Sequence, residues 1–152
     1  MRAKLGLTEA GEVTDALIDD LLTLLRDEAV DYTSSFRALS AWLRGDAAPA
    51  RSLFANPSAF DAWARRWREQ LAHEASDPQQ TASAMDRVNP AYIPRNHHVE
   101  AALAAATAGD LEPFHRLLDV VARPFDARPG LEPYAAAAPA AWGSSYRTFC
   151  GT

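Results

Sequence analysis

The chain holds one cysteine, Cys150, so it can form no internal disulfide and no zinc site built on cysteines. It holds one lysine, Lys4, and so lacks the lysine expected of a phosphate-binding loop. Isoleucine occurs only at Ile18 and Ile93 and valine at six positions, a shortage of β-branched residues that argues against a large sheet. The longest apolar runs, Ala101 to Ala106 and Tyr134 to Trp142, fall far short of the roughly 20 residues that span a bilayer. No apolar stretch of signal-peptide length follows the charged start, which points to the cytoplasm of a bacterial-type cell. A net charge of −5 makes nonspecific nucleic-acid binding an unfavoured role, although Arg65, Arg66 and Arg68 cluster locally. What the chain has in abundance is alanine, 32 of 152 residues, the best helix former. The expected fold class is all-α: a bundle of about five to six helices with an irregular Pro/Ala-rich C-terminal tail.

Spacing and caps place the helices. Leu17, Leu21, Leu24 and Leu25 follow a helical period, with Thr14 as the expected N-cap. A second helix opens near Asp31 or Thr33, carries Phe36, Leu39 and Trp42, and stops at Gly45. Arg51 to Phe54 reads as a short turn of helix closed by Asn56-Pro57. Ser58 is the expected cap of a third long helix with Phe60, Trp63, Trp67 and Leu71 on its apolar face, which makes these aromatics core. Asp77-Pro78, a cap followed by proline at the first helical position, predicts a helix to Arg87 or Val88. Pro90 and Pro94 push the residues before them out of helical geometry, so the chain is extended around Asn89–Asn96. Helix resumes near His97 or His98 and runs to Ala108. Gly109-Asp110 then makes a short hairpin into a helix over Leu111–Ala122 with Phe114, Leu117, Leu118 and Val121 on one face. The organisation expected is a helical domain over 1–123 and an irregular tail over 124–152.

No catalytic constellation stands out. No Gly-rich phosphate loop and no His-Glu-x-x-His motif is present, so no catalytic, cofactor-binding or metal-ligating residue is assigned in this chain. His97 and His98 are adjacent, and helical neighbours point about 100° apart, which disfavours a shared ligand. One is expected to hydrogen-bond locally and the other to be solvated. The Arg cluster reads as a solvated face, with docking of an acidic partner as the alternative. Cys150 is a candidate redox residue, because a thiol third from the C-terminus is accessible to oxidants and to distant thiols.

Asn89-Pro90-Ala91-Tyr92-Ile93-Pro94-Arg95-Asn96-His97, the Gly109-Asp110 hairpin, Arg123-Pro124-Phe125 and the ending Tyr146-Arg147-Thr148-Phe149-Cys150-Gly151-Thr152 together resemble the C-terminal end of the selenoprotein O family. Lys4-Leu5-Gly6-Leu7, Asp31-Tyr32-Thr33 and Phe36-Arg37 resemble the start of the same region, so the chain reads as a piece of a longer protein. The resemblance implies a much longer polypeptide with a protein-kinase-like fold that binds ATP with Mg²⁺ or Mn²⁺ and transfers AMP to protein Ser, Thr or Tyr hydroxyls. It also implies that Cys150 stands where some members carry selenocysteine. The kinase-like part is absent here, so no family catalytic residue carries over and this chain alone is expected to be inactive. Its partners would be that kinase-like domain and the enzyme's protein substrates, with no nucleic acid and no membrane. The alternative is a stand-alone helical interaction module. Asn89, Pro90, Tyr92, Arg95, Asn96 and His97 form the candidate structural or docking motif. Arg95 and Asn96 are expected to hydrogen-bond the backbone.

Overall fold

A computed structural model describes residues 1–139 and Trp142, and among these the fold is all-helical, with eight α-helices and no strand. The six long helices are α1 (Glu12–Asp27), α2 (Tyr32–Leu43), α4 (Pro57–His73), α5 (Pro78–Val88), α6 (Asn96–Thr107) and α7 (Glu112–Ala122). Two single-turn helices, α3 (Ala48–Arg51) and α8 (Glu132–Ala135), and a 3₁₀ turn over Arg2–Leu5 complete the set. The chain divides into two compact units, Met1–Ala91 and a second that begins at Tyr92. That division falls inside the proline-bounded stretch, a different place from the 1–123 and 124–152 expected from composition.

In the first unit the apolar stripes become one core. Leu17, Leu21 and Leu25 of α1 and Phe60, Trp63, Trp67 and Leu71 of α4 are all buried, and these two helices pack together. Tryptophan can be buried only if its N–H finds an acceptor. Trp63 Nε1 donates to the Leu17 carbonyl and Trp67 Nε1 to the Leu5 carbonyl, both at 2.9 Å. Helix α2 lies against α5 and α3, adding Phe36 and Leu39. The 3₁₀ turn ends in Gly6 at φ 69°, where an added Cβ would collide with Thr81 of α5.

The helix starts at Asp31 and Asp77 came out as expected, and three others did not. Asp31 accepts from the Ser34 N–H and Asp77 from the Gln80 N–H, with Pro78 opening α5. Helix α1 begins after Gly11, which leaves Thr14 inside the first turn and buried rather than capping. Helix α4 is capped by Asn56, whose side chain accepts from Ala59 N–H, so Pro57 and not Ser58 takes the first position. The short helix forms over Ala48–Arg51, earlier than Arg51–Phe54, because Pro49 suits a first turn.

The second unit contains the α6–α7 pair, packed as the expected hairpin across Gly109 at φ 93°. Asp110 accepts from the Glu112 N–H at 3.0 Å. Within the hairpin the buried side chains are Ala102 of α6 and Leu117 and Val120 of α7. Two members of the α7 face read from the sequence, Phe114 and Leu118, are open, at 40% and 53% exposure. Among the described residues no helix is long and apolar enough to cross a membrane.

Candidate functional site

The Asn89–His97 motif is extended at Asn89, ψ 108°, as the following Pro90 requires, and again at Arg95, ψ 131°, before α6 begins at Asn96. The motif does not gather into one pocket. Asn89 is fully buried in the first unit, where its amide donates to the Lys4 carbonyl at 2.9 Å and accepts from Lys4 Nζ at 3.2 Å. Arg37 binds the carbonyls of Asp86 and Asn89 and, with Arg44, holds the Asp86 carboxylate. Pro90 is half-buried.

From Tyr92 onward the motif belongs to the second unit. Tyr92 is buried, its N–H donates to the Pro124 carbonyl at 3.1 Å, and its hydroxyl accepts from the Arg128 N–H at 2.8 Å. The Arg128 guanidinium lies 5.7 Å from the Tyr92 ring centre, reaches Asp119 at 2.8 Å, and also donates to the carbonyls of Asp119 and Val120. Hydrogen bonds from Arg128 and then Arg123 hold the Asp119 carboxyl below the usual carboxylate range. Sequence reasoning missed Arg128, and no spacing signal links it to a tyrosine 36 positions away. Arg95, 8% exposed, donates from Nη2 to the Ala135 carbonyl at 2.8 Å, as expected of a structural tie. Asn96, expected to bind backbone as well, is the exposed first residue of α6, and its side chain has no hydrogen bond among the described residues.

His97 and His98, in the first turn of α6, stand with ring centres 4.0 Å apart, closer than neighbours about 100° apart on a helix suggest. His97 faces Trp142 at 5.7 Å, and His98 stacks on Tyr134 at 4.8 Å with Nε2 3.0 Å from the Pro133 carbonyl. Both are half-buried, so neither is the solvated partner expected. Burial, with His98 and Arg95 nearby, pushes the His97 pKa below 6.5. Among the described residues no three His, Cys, Asp or Glu side chains converge as a metal site would need. Cys150 lies outside the described residues.

A second feature combines residues that the sequence put on one helix with others that it did not. Trp63 and Trp67 turn inward, while Arg65 and Arg68 of α4 face an open groove of about 560 Å³ with Trp42 of α2 and Arg51 of α3. Arg51 pairs with Asp61 at 3.2 Å across it. Arg66 points elsewhere, to Asp20. The groove sets the guanidinium groups of Arg51, Arg65 and Arg68 and the carboxylates of Asp61 and Glu69 beside a half-buried indole and is open to solvent, a surface of mixed charge rather than an enclosure for a small substrate.

The chain matches the family model described as "Protein adenylyltransferase SelO" over residues 1–122, and it belongs to that family. Among its curated relatives, each named "Protein nucleotidyltransferase YdiU", that of Mycobacterium sp. (strain KMS) is 56% identical over the whole chain. Those of Rhodococcus jostii (strain RHA1) and Cereibacter sphaeroides (strain KD131 / KCTC 12085) are 50% and 49% identical, again over the whole chain. The chain spans about 30% of the length of these relatives: 30% in the Mycobacterium protein, 29% in the Rhodococcus protein and 30% in the Cereibacter protein.

Proposed function

We propose that this chain is the helical C-terminal region of a longer protein adenylyltransferase that moves AMP from ATP onto protein Ser, Thr or Tyr hydroxyls. In this reading the rest of the polypeptide forms a kinase-like part that holds ATP with Mg²⁺ or Mn²⁺ and engages the protein substrate in the cytoplasm. The present segment buttresses that part and supplies no catalytic group. The observation that carries the reading is the whole-chain match, at 49–56% identity, to nucleotidyltransferases of which this chain is about 30%. The resemblance of Asn89–Asn96 and of the ending around Cys150 to the C-terminal end of the selenoprotein O family supports the placement. Aligned on the Mycobacterium relative, the chain should fall on its final third, and a match to the first third would overturn the placement. In activity, the Mycobacterium relative carrying this chain in place of its matching segment should transfer AMP to a protein acceptor. The same protein with the segment removed should lose that transfer. Full transfer without the segment would sink the buttress role.

Cys150 is the proposed redox element: with a peroxide as oxidant, its thiol and a thiol elsewhere in the longer protein would join as a disulfide. Cys150→Ser should abolish the response of AMP transfer to peroxide, and an unchanged response would remove that role. A second reading, an interaction module, draws on the Trp42–Arg65–Arg68 groove, and there Arg65→Glu with Arg68→Glu should abolish binding of acidic peptides.

A further inference from the structure

The α6–α7 hairpin carries an apolar stripe that the described residues leave largely uncovered. Phe114, Leu117, Leu118 and Val121 recur at the i, i+3, i+4, i+7 spacing of a helix face that belongs in a core. Only Leu117 is buried, and the closing residue of the core is Val120, one position off the stripe. Phe114 and Leu118 stand open, and Leu103 of α6 beside them is 49% exposed. Between the two helices runs a shallow groove of about 150 Å³, floored by Ala102 and walled by Val99, Leu103, Phe114 and Leu118, with only apolar side chains lining it. Isolated exposed leucines are ordinary, whereas a contiguous apolar groove at helical spacing marks a surface that another element covers.

We infer that this groove is the seat of an apolar helix from the remaining part of the family-length polypeptide, about 70% of which lies outside this chain. Two parallel ridges of Leu and Phe with a small-residue floor are the receiving half of a helix-in-groove contact. The inference rests on the proposed function insofar as it needs a longer protein, but not on the reaction which that protein performs.

A single thiol at the groove tests it. Leu118→Cys in a Cys150→Ser background is alkylated under native conditions, once as the 152-residue chain and once within the Mycobacterium relative that carries this chain in place of its matching segment. Peptide mass spectrometry reads position 118. Labelling should be rapid in the short chain and slowed at least about tenfold in the long one, the factor for a contact that opens only rarely. Leu118→Asp should leave the melting of the short chain unchanged and restore rapid labelling of a neighbouring Leu103→Cys in the long protein. Equal labelling rates at position 118 in the two contexts would overturn the inference. So would concentration-dependent dimerisation of the short chain that protects position 118, since a second copy would then be the occupant. AMP transfer is not read in any arm, so loss of the proposed activity and loss of the groove contact are distinguishable.

Discussion

Arg95 shows how much a single position in the proline-bounded motif contributes. Its side chain is nearly buried and its guanidinium donates to the carbonyl of half-buried Ala135, so Arg95→Ala removes a charge-assisted hydrogen bond together with the packing of that side chain. The cost should be about 1–3 kcal/mol, seen as a lower melting temperature by circular dichroism, and Arg95→Lys should recover only part of it because the planar fork is lost. Asn89, fully buried between Lys4 groups, should behave alike in the first unit: Asn89→Ala leaves the Lys4 carbonyl unsatisfied, at a similar cost in chemical denaturation. His97 adds a pH dependence. Its folded pKa is lowered below 6.5, so the unfolded chain binds the extra proton first, and stability falls as pH drops from 6.5 through the folded value. Melting temperature should therefore decline across that window, and His97→Gln should flatten the decline. At this scale the backbone bond of Arg95 followed from residue chemistry, whereas the one expected of Asn96 did not form and the burial of Asn89 against Lys4 was not foreseen. Nor was the Tyr92–Arg128–Asp119 cluster, because nothing local announces a pairing set by tertiary packing.

The helix ends show where sequence reading succeeds. Four helices close with the same paired bonds, the residue after the cap to the carbonyl three back and the next residue to the carbonyl five back. In α2 and α6 the left-handed position is Gly45 or Gly109, and both ends were legible. In α1 and α4 it is Ala29 at φ 52° and Ala75 at φ 51°, residues with no turn signature, so those ends were not. Alanine in that conformation carries a Cβ clash of roughly 1 kcal/mol that glycine lacks. Ala29→Gly and Ala75→Gly should each raise stability by up to about 1 kcal/mol in urea denaturation, and a loss would show that the turns are not under strain. The stripe of α7 was legible as a stripe but its exposure was not, because periodicity says which residues share a face but not what covers it.

At the scale of the molecule, composition settled the helical class through an excess of alanine and a scarcity of β-branched residues. It could not show that Trp42 and Arg51 come from separate helices to the Arg65–Arg68 face. The nucleotide chemistry proposed for the longer protein needs cationic and metal-binding groups on a rigid frame, and this reading puts them outside the present segment. Isothermal titration of the 152-residue chain with ATP in the presence of Mg²⁺ or Mn²⁺ tests that division most directly. No binding heat is predicted for the chain alone, alongside saturable binding by the longer protein that carries it, and micromolar affinity in the short chain would contradict it.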